Sequence, residues 1–133
     1  MLCLNQDRTR LLKEQTQSLE EWLHKDDKTE PELAYWIPKY VQMRSTTQFT
    51  EMGDMLAKMQ HIPESQDKIE WRRFTEGCIS KEFHRRQTFF LQMSNNRLNG
   101  TDWRKQLISR LLQITHSQWI YRKNISLHDK SNE

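Results

Sequence analysis

Four times in the second half of the chain an aromatic side chain is followed at once by basic ones: Trp71-Arg72-Arg73, Phe83-His84-Arg85-Arg86, Trp103-Arg104-Lys105 and Tyr121-Arg122-Lys123. Cations beside rings are what a nucleic-acid surface uses, the charges for phosphates and the rings for stacking on bases. That chemistry makes Arg72, Arg73, Arg85, Arg86, Arg104, Lys105 and Lys123 the candidate nucleic-acid contacts. Helix geometry points to a plainer use. At about 100° per residue, an aromatic and the two residues after it point in different directions, so rings can turn inward while their basic neighbours flank them. A solvated helix face is the expected outcome.

The last helical segment carries a sharper constellation. With Trp103 as zero, Leu107, Ile108, Leu111, Leu112, Ile114, Trp119, Tyr121 and Ile125 fall within about 180° of arc, and Arg104 and Arg122 fall near its middle, at about 100°. An arginine there must pair with a carboxylate, reach an edge, or face a partner's acid or phosphate. An internal ion pair with Glu20, Glu76 or Glu82 is expected, with Arg122 as the structural member.

Other chemistry is harder to build. None of the five histidines, His24, His61, His84, His116 and His128, makes H-E-x-x-H or sits by a Ser or Cys nucleophile with an orienting acid. The three glycines, Gly53, Gly77 and Gly100, are isolated, so there is no glycine-rich phosphate loop. Cys3 and Cys78 form no zinc-type cluster and read as free thiols. The chain is expected to be non-catalytic, without metal or cofactor. Phe49, Met52, Met55, Leu56 and Met59 share a face that reads as core, or as an adaptable partner groove.

The elements that must position these residues are helices. With 133 residues, apolar residues are 35% of the chain and the formal net charge is +3; the mean hydropathy is -0.99. A single thin core is expected. A single Val, three Gly and three Pro leave little for sheets, whereas Leu, Gln, Glu, Lys and Arg are plentiful. The fold class is all-α, with four to five helices in one domain over 1–133.

Shorter helices are expected over 1–64: a first from about Gln6 to His24, and a second opened by Thr29 as N-cap with Glu32 closing a capping box and Pro31 in the first turn. Pro38 predicts a kink or break in that second helix, and His61-Ile62-Pro63 the end of a short one before it. Residues 65–130 read as a long antiparallel hairpin, about Ser65 to Ser94 and Asp102 to about Leu127, each arm on the order of 40 Å. Residues 94–100 have the composition of the turn between them, and Thr101 or Asp102 would cap the second arm.

Charge divides unevenly. Residues 1–66 hold 8 Lys and Arg against 11 Asp and Glu, net -3, and residues 67–133 hold 13 against 7, net +6, so a polyanion would prefer the second half. The polar N-terminus and the lack of a long apolar run predict an intracellular protein, cytoplasmic or nuclear, with no membrane contact.

Leu33-Ala34-Tyr35-Trp36-Ile37-Pro38-Lys39-Tyr40, Phe74-Thr75-Glu76-Gly77, Thr115-His116-Ser117-Gln118-Trp119-Ile120-Tyr121-Arg122 and the run from Ile125 to Lys130 resemble repetitive, uncharacterised open reading frames of eukaryotic microbes associated with mobile elements. Their W-x-x-R-N pattern is similar to C-terminal regions of some non-LTR retrotransposon polyproteins; here Lys123 separates Arg122 from Asn124. The resemblance implies a truncated or decaying mobile-element copy that continues past Glu133 in its relatives, and implies no activity. The functional expectation is a helical module acting through protein or intramolecular contacts, with nucleic-acid binding by the basic C-terminal helices as the alternative.

Overall fold

The computed structural model describes residues 2–43, 50 and 60–131, with side chains for 9–43, 50, 60–120 and 123. The described residues form six α-helices and no strand. They are α1 Leu2–His24, α2 Pro31–Gln42, α3 His61–Ile69, α4 Trp71–Thr75, α5 Lys81–Met93 and α6 Gly100–Ser131. The all-α class stands, with more helices than the four to five expected. The methionine face of residues 49–59 lies outside the described residues.

α1 ends in a single 3₁₀ turn, Lys25–Asp27, where Asp26 and Asp27 take φ of 61° and 49°. Aspartate tolerates that left-handed backbone better than most side chains do, and the chain turns into α2. The cap of α2 is not Thr29. Glu30 is the N-cap, its carboxylate accepting from the Leu33 N–H, with Pro31 at the first helical position. The Thr29 hydroxyl is taken by the indole N–H of Trp103, and the Glu32 carboxylate by that of Trp36, so the predicted box never closes. Nor is there a break at Pro38: α2 runs continuously to Gln42. Leu33, Ala34, Ile37, Pro38, Tyr40 and Val41 are all buried along it, and burying that face outweighs the roughly 3 kcal/mol that an internal proline costs.

The arm expected over 65–94 is three helices. His61-Ile62-Pro63 opens α3, where the first turn has no use for the missing proline N–H, and the short helix expected before it lies outside the described residues. Glu70, at φ 78°, separates α3 from α4. Bending there lets the Trp71 indole donate to the Tyr40 carbonyl at 2.7 Å, satisfying an acceptor in the last turn of α2. α4 then stops at Gly77, whose φ of 98° and the bonds Gly77 N–H to Phe74 O and Cys78 N–H to Arg73 O make a Schellman C-cap. Ser80 caps α5 through the Phe83 N–H.

α5 also ends in a Schellman turn, at Asn95 with φ 53°, and the expected reversal over 94–100 is present. Its far side is capped by Asn99, which accepts from the Asp102 N–H, rather than by Thr101 or Asp102. α5 packs against α6, and a Cβ added at Gly100 would meet Thr88. One arm is short, however: 13 residues in α5 against 32 in α6.

An aromatic chain threads the core. Ring centroids lie 6.2 Å apart for Trp22 and Trp103, 6.5 Å for Trp103 and Phe83, 6.0 Å for Phe83 and Phe74, and 5.2 Å for Phe74 and Tyr40. These rings link α1, α6, α5, α4 and α2 at spacings where aromatic pairs attract. Two buried glutamines fasten the loops. Gln87 accepts from the Glu30 N–H and donates to the Lys28 carbonyl, and Gln66 accepts from the Ser80 N–H and donates to the Cys78 carbonyl. No helix among the described residues is long and apolar enough to cross a membrane.

Candidate contact surface

Three of the candidate nucleic-acid contacts stand beside acids. Arg72 lies 3.5 Å from Glu76, Arg85 3.0 Å from Glu82, and Arg86 3.9 Å from Glu30. Arg86 also places its guanidinium 5.7 Å from the Phe89 ring. Arg73 and Lys105 are exposed, on α4 and α6. The rings beside these cations point the other way: Phe83 and Trp103 are fully buried, and Trp71 packs against the core. The first three repeats thus turn their rings toward the core, while the side chains of Tyr121 and Arg122 in the fourth lie outside the described residues.

Arg104 corrects a second expectation. Glu76 and Glu82 are engaged by Arg72 and Arg85, and among the described residues no acid stands within salt-bridge distance of Arg104. Its Nε is buried without a hydrogen bond, as is Nδ1 of His84 across the α5–α6 seam. Burial first, and then the Arg104 charge, hold the His84 pKa below its usual value. The side chain of Arg122 lies outside the described residues, and so does its predicted ion pair.

The apolar sector of α6 divides differently from expectation. Leu107, Leu111 and Ile114 are buried with Trp103, but Leu112, Trp119 and Ile120 are 45%, 55% and 39% exposed. Leu112 and Trp119 sit at the far edge of the sector, near 160–180° from Trp103, and among the described residues no helix covers that edge. Beside them His116 stacks on Trp119 with centroids 6.1 Å apart, and the Lys123 ammonium lies 5.0 Å from the Trp119 ring. Lys105, Leu112, His116, Trp119 and Lys123 therefore form one exposed stripe about 60° wide. The residues of that stripe were visible in the sequence, and the sign of their exposure was not.

On the opposite flank of α6, Arg110 sits 5.0 Å from the Trp22 ring, and Lys28 lies 4.6 Å from it. Burial lowers the Lys28 pKa, while Asp26 offsets part of the effect. A groove of about 320 Å³ beside Arg110 is lined by Gln15, Ser18, Leu19, Gln113, Ile114 and Ser117. Gln118 closes one end toward Gln15, with a hydrogen bond of 3.4 Å. Among the described residues no three His, Cys, Asp or Glu side chains gather as metal ligands do.

Comparison with family models, with curated proteins and with solved structures gives no match to this chain.

Proposed function

We propose that the chain is a non-catalytic helical module that works by contact with another macromolecule, and that the contact surface is the exposed stripe of α6. One observation carries the reading: Leu112 and Trp119, two turns apart on one face of the helix, stand exposed clear of the core that the same helix helps to build, with Ile120 exposed beside them about 100° further round. Clustered exposed apolar side chains rimmed by polar ones mark interaction sites more often than bare surface. The proposed kinship with mobile-element reading frames rests partly on residues 115–122, which include His116, Trp119 and Ile120.

The test separates surface from core. Trp119→Ala and Leu112→Ala leave stability within about 0.5 kcal/mol, as surface changes do, and reduce the binding of a dye that reports exposed apolar area. A loss of about 3 kcal/mol or more on Trp119→Ala, the range of buried aromatics, would mean that the residue belongs to the core and would end the reading.

A second reading, nucleic-acid binding, is favoured by the Lys123 cation and the His116 ring against exposed Trp119, since ring and charge together suit single-stranded bases and phosphates. Titration with single- and double-stranded RNA and DNA at two salt concentrations decides it. Binding by Arg72, Arg73, Arg85, Arg86, Arg104, Lys105 and Lys123 must weaken steeply with salt.

A further inference from the structure

We infer that the partner received by α6 is an acidic amphipathic helix, a protein segment with Asp or Glu at both ends of an apolar stripe; this rests on the reading of that face as the contact surface.

Charge is the first argument. Between Trp103 and His128 the chain has five Lys and Arg, namely Arg104, Lys105, Arg110, Arg122 and Lys123, and not one Asp or Glu. Of these, Lys105 and Lys123 belong to the stripe, which itself holds no Asp or Glu although Asp102 stands three residues before Lys105 in α6, so a partner's acids would complement the stripe's charge.

Spacing is the second. Exposed Lys105 and Lys123 stand at the two ends of the stripe, about 27 Å apart along the helix. Leu112 and Trp119, two turns apart, lie between them, with Ile120 alongside. An apolar strip with a cation at each end is the complement of a helix that sets apolar anchors at i, i+3, i+4 and i+7 and acids at the two ends of that stripe. Trp119 offers the large flat anchor on which such interfaces concentrate their affinity. An acid reaching Lys123 would place its neighbouring apolar side chain over the indole that Lys123 now covers.

The same spacing disfavours the other occupants. A nucleic-acid strand presents phosphates every few ångströms, whereas the middle of this stripe is apolar and three other cations of the second half are already beside acids. A second copy docked face to face would set lysine against lysine, Lys105 on Lys123 if antiparallel and each on itself if parallel.

Fluorescence anisotropy with the full chain tests the inference. The probes are a labelled amphipathic peptide with leucine anchors and glutamate flanks, the same peptide with lysine for each glutamate, a scrambled glutamate peptide, and a single-stranded oligonucleotide. The glutamate peptide should bind and weaken with salt, and the lysine and scrambled peptides should not. Trp119→Ala should lower its affinity by about tenfold or more. Lys105→Glu with Lys123→Glu should transfer the preference to the lysine peptide, a switch that mere loss of structure cannot produce, with circular dichroism confirming retained helix.

Equal binding of glutamate and lysine peptides would overturn the inference. If the oligonucleotide binds, the glutamate peptide does not, and Trp119→Ala abolishes the signal, the acidic helix is refuted while α6 stands as the contact face. Binding that no α6 substitution alters, or no binding by any probe, would refute both.

Discussion

The indole N–H of Trp103 donates to the Thr29 hydroxyl across 3.1 Å, joining the first turn of α6 to the entrance of α2 with both residues buried. Thr29→Ala is therefore expected to act on tertiary structure rather than on helix capping. It strands a buried N–H and should lower stability by about 1–3 kcal/mol. In a Trp103→Phe background that N–H is absent, so the same change should cost markedly less. Denaturant melts of the four variants measure the coupling; additive losses would show that the bond contributes nothing.

The cap itself belongs to Glu30. Glu30→Ala should cost about 1 kcal/mol through the freed Leu33 N–H, and more if the nearby Arg86 cation is left without its acid. Chemical denaturation reads this directly, and an unchanged midpoint would remove the cap.

Gln87 serves two backbone groups at once, the Glu30 N–H at 2.9 Å and the Lys28 carbonyl at 2.6 Å. Gln87→Glu keeps the acceptor and loses the donor when ionised, so it should destabilise at neutral pH by about 2 kcal/mol or more and recover part of that on acidification. Gln87→Leu should lose similarly at every pH. A Glu variant without pH dependence would show that the donor is dispensable.

Gly77 combines a φ of 98° with a close approach, since a Cβ there would stand 2.8 Å from Cγ2 of Ile108. Gly77→Ala should cost about 1–3 kcal/mol from backbone and crowding together. Adding Ile108→Val relieves only part of the crowding and none of the backbone term. Thermal melts of both variants should therefore show incomplete rescue, and full rescue would assign the whole cost to crowding.

His84 makes stability depend on pH. Its folded pKa lies below the ordinary 6.5, first through burial and then through the Arg104 charge. As pH falls the unfolded chain takes up this proton first, so the contribution is complete above about 6.5 and is lost as pH drops from there toward the folded pKa. Comparing Tm at about pH 7.5 and 5.5, the wild type should fall further than His84→Gln. Equal falls would clear His84 of the effect.

The sequence by itself determined what depends on composition and short-range pattern. One Val and an abundance of helix formers dictated helices, Pro31 marked the start of α2, and residues 94–100 marked the turn before α6. The inward turn of Phe83 and Trp103 followed from helical period alone. Gly77 also carried its Schellman signal in plain view, although its isolation argued only against a phosphate loop. Tertiary structure decided the rest. Glu70 has no preference for a positive φ, and its turn exists because Trp71 and Phe74 must reach the Tyr40 carbonyl and the core. Pro38 stays inside α2 because its neighbours are buried around it. Thr29 became the partner of a residue 74 positions away rather than a cap. Whether Leu112 and Trp119 face a neighbour or water is not a property of α6: the same apolar arc is core where α1, α4 and α5 lie against it and open surface where they do not, because burial depends on what packs alongside.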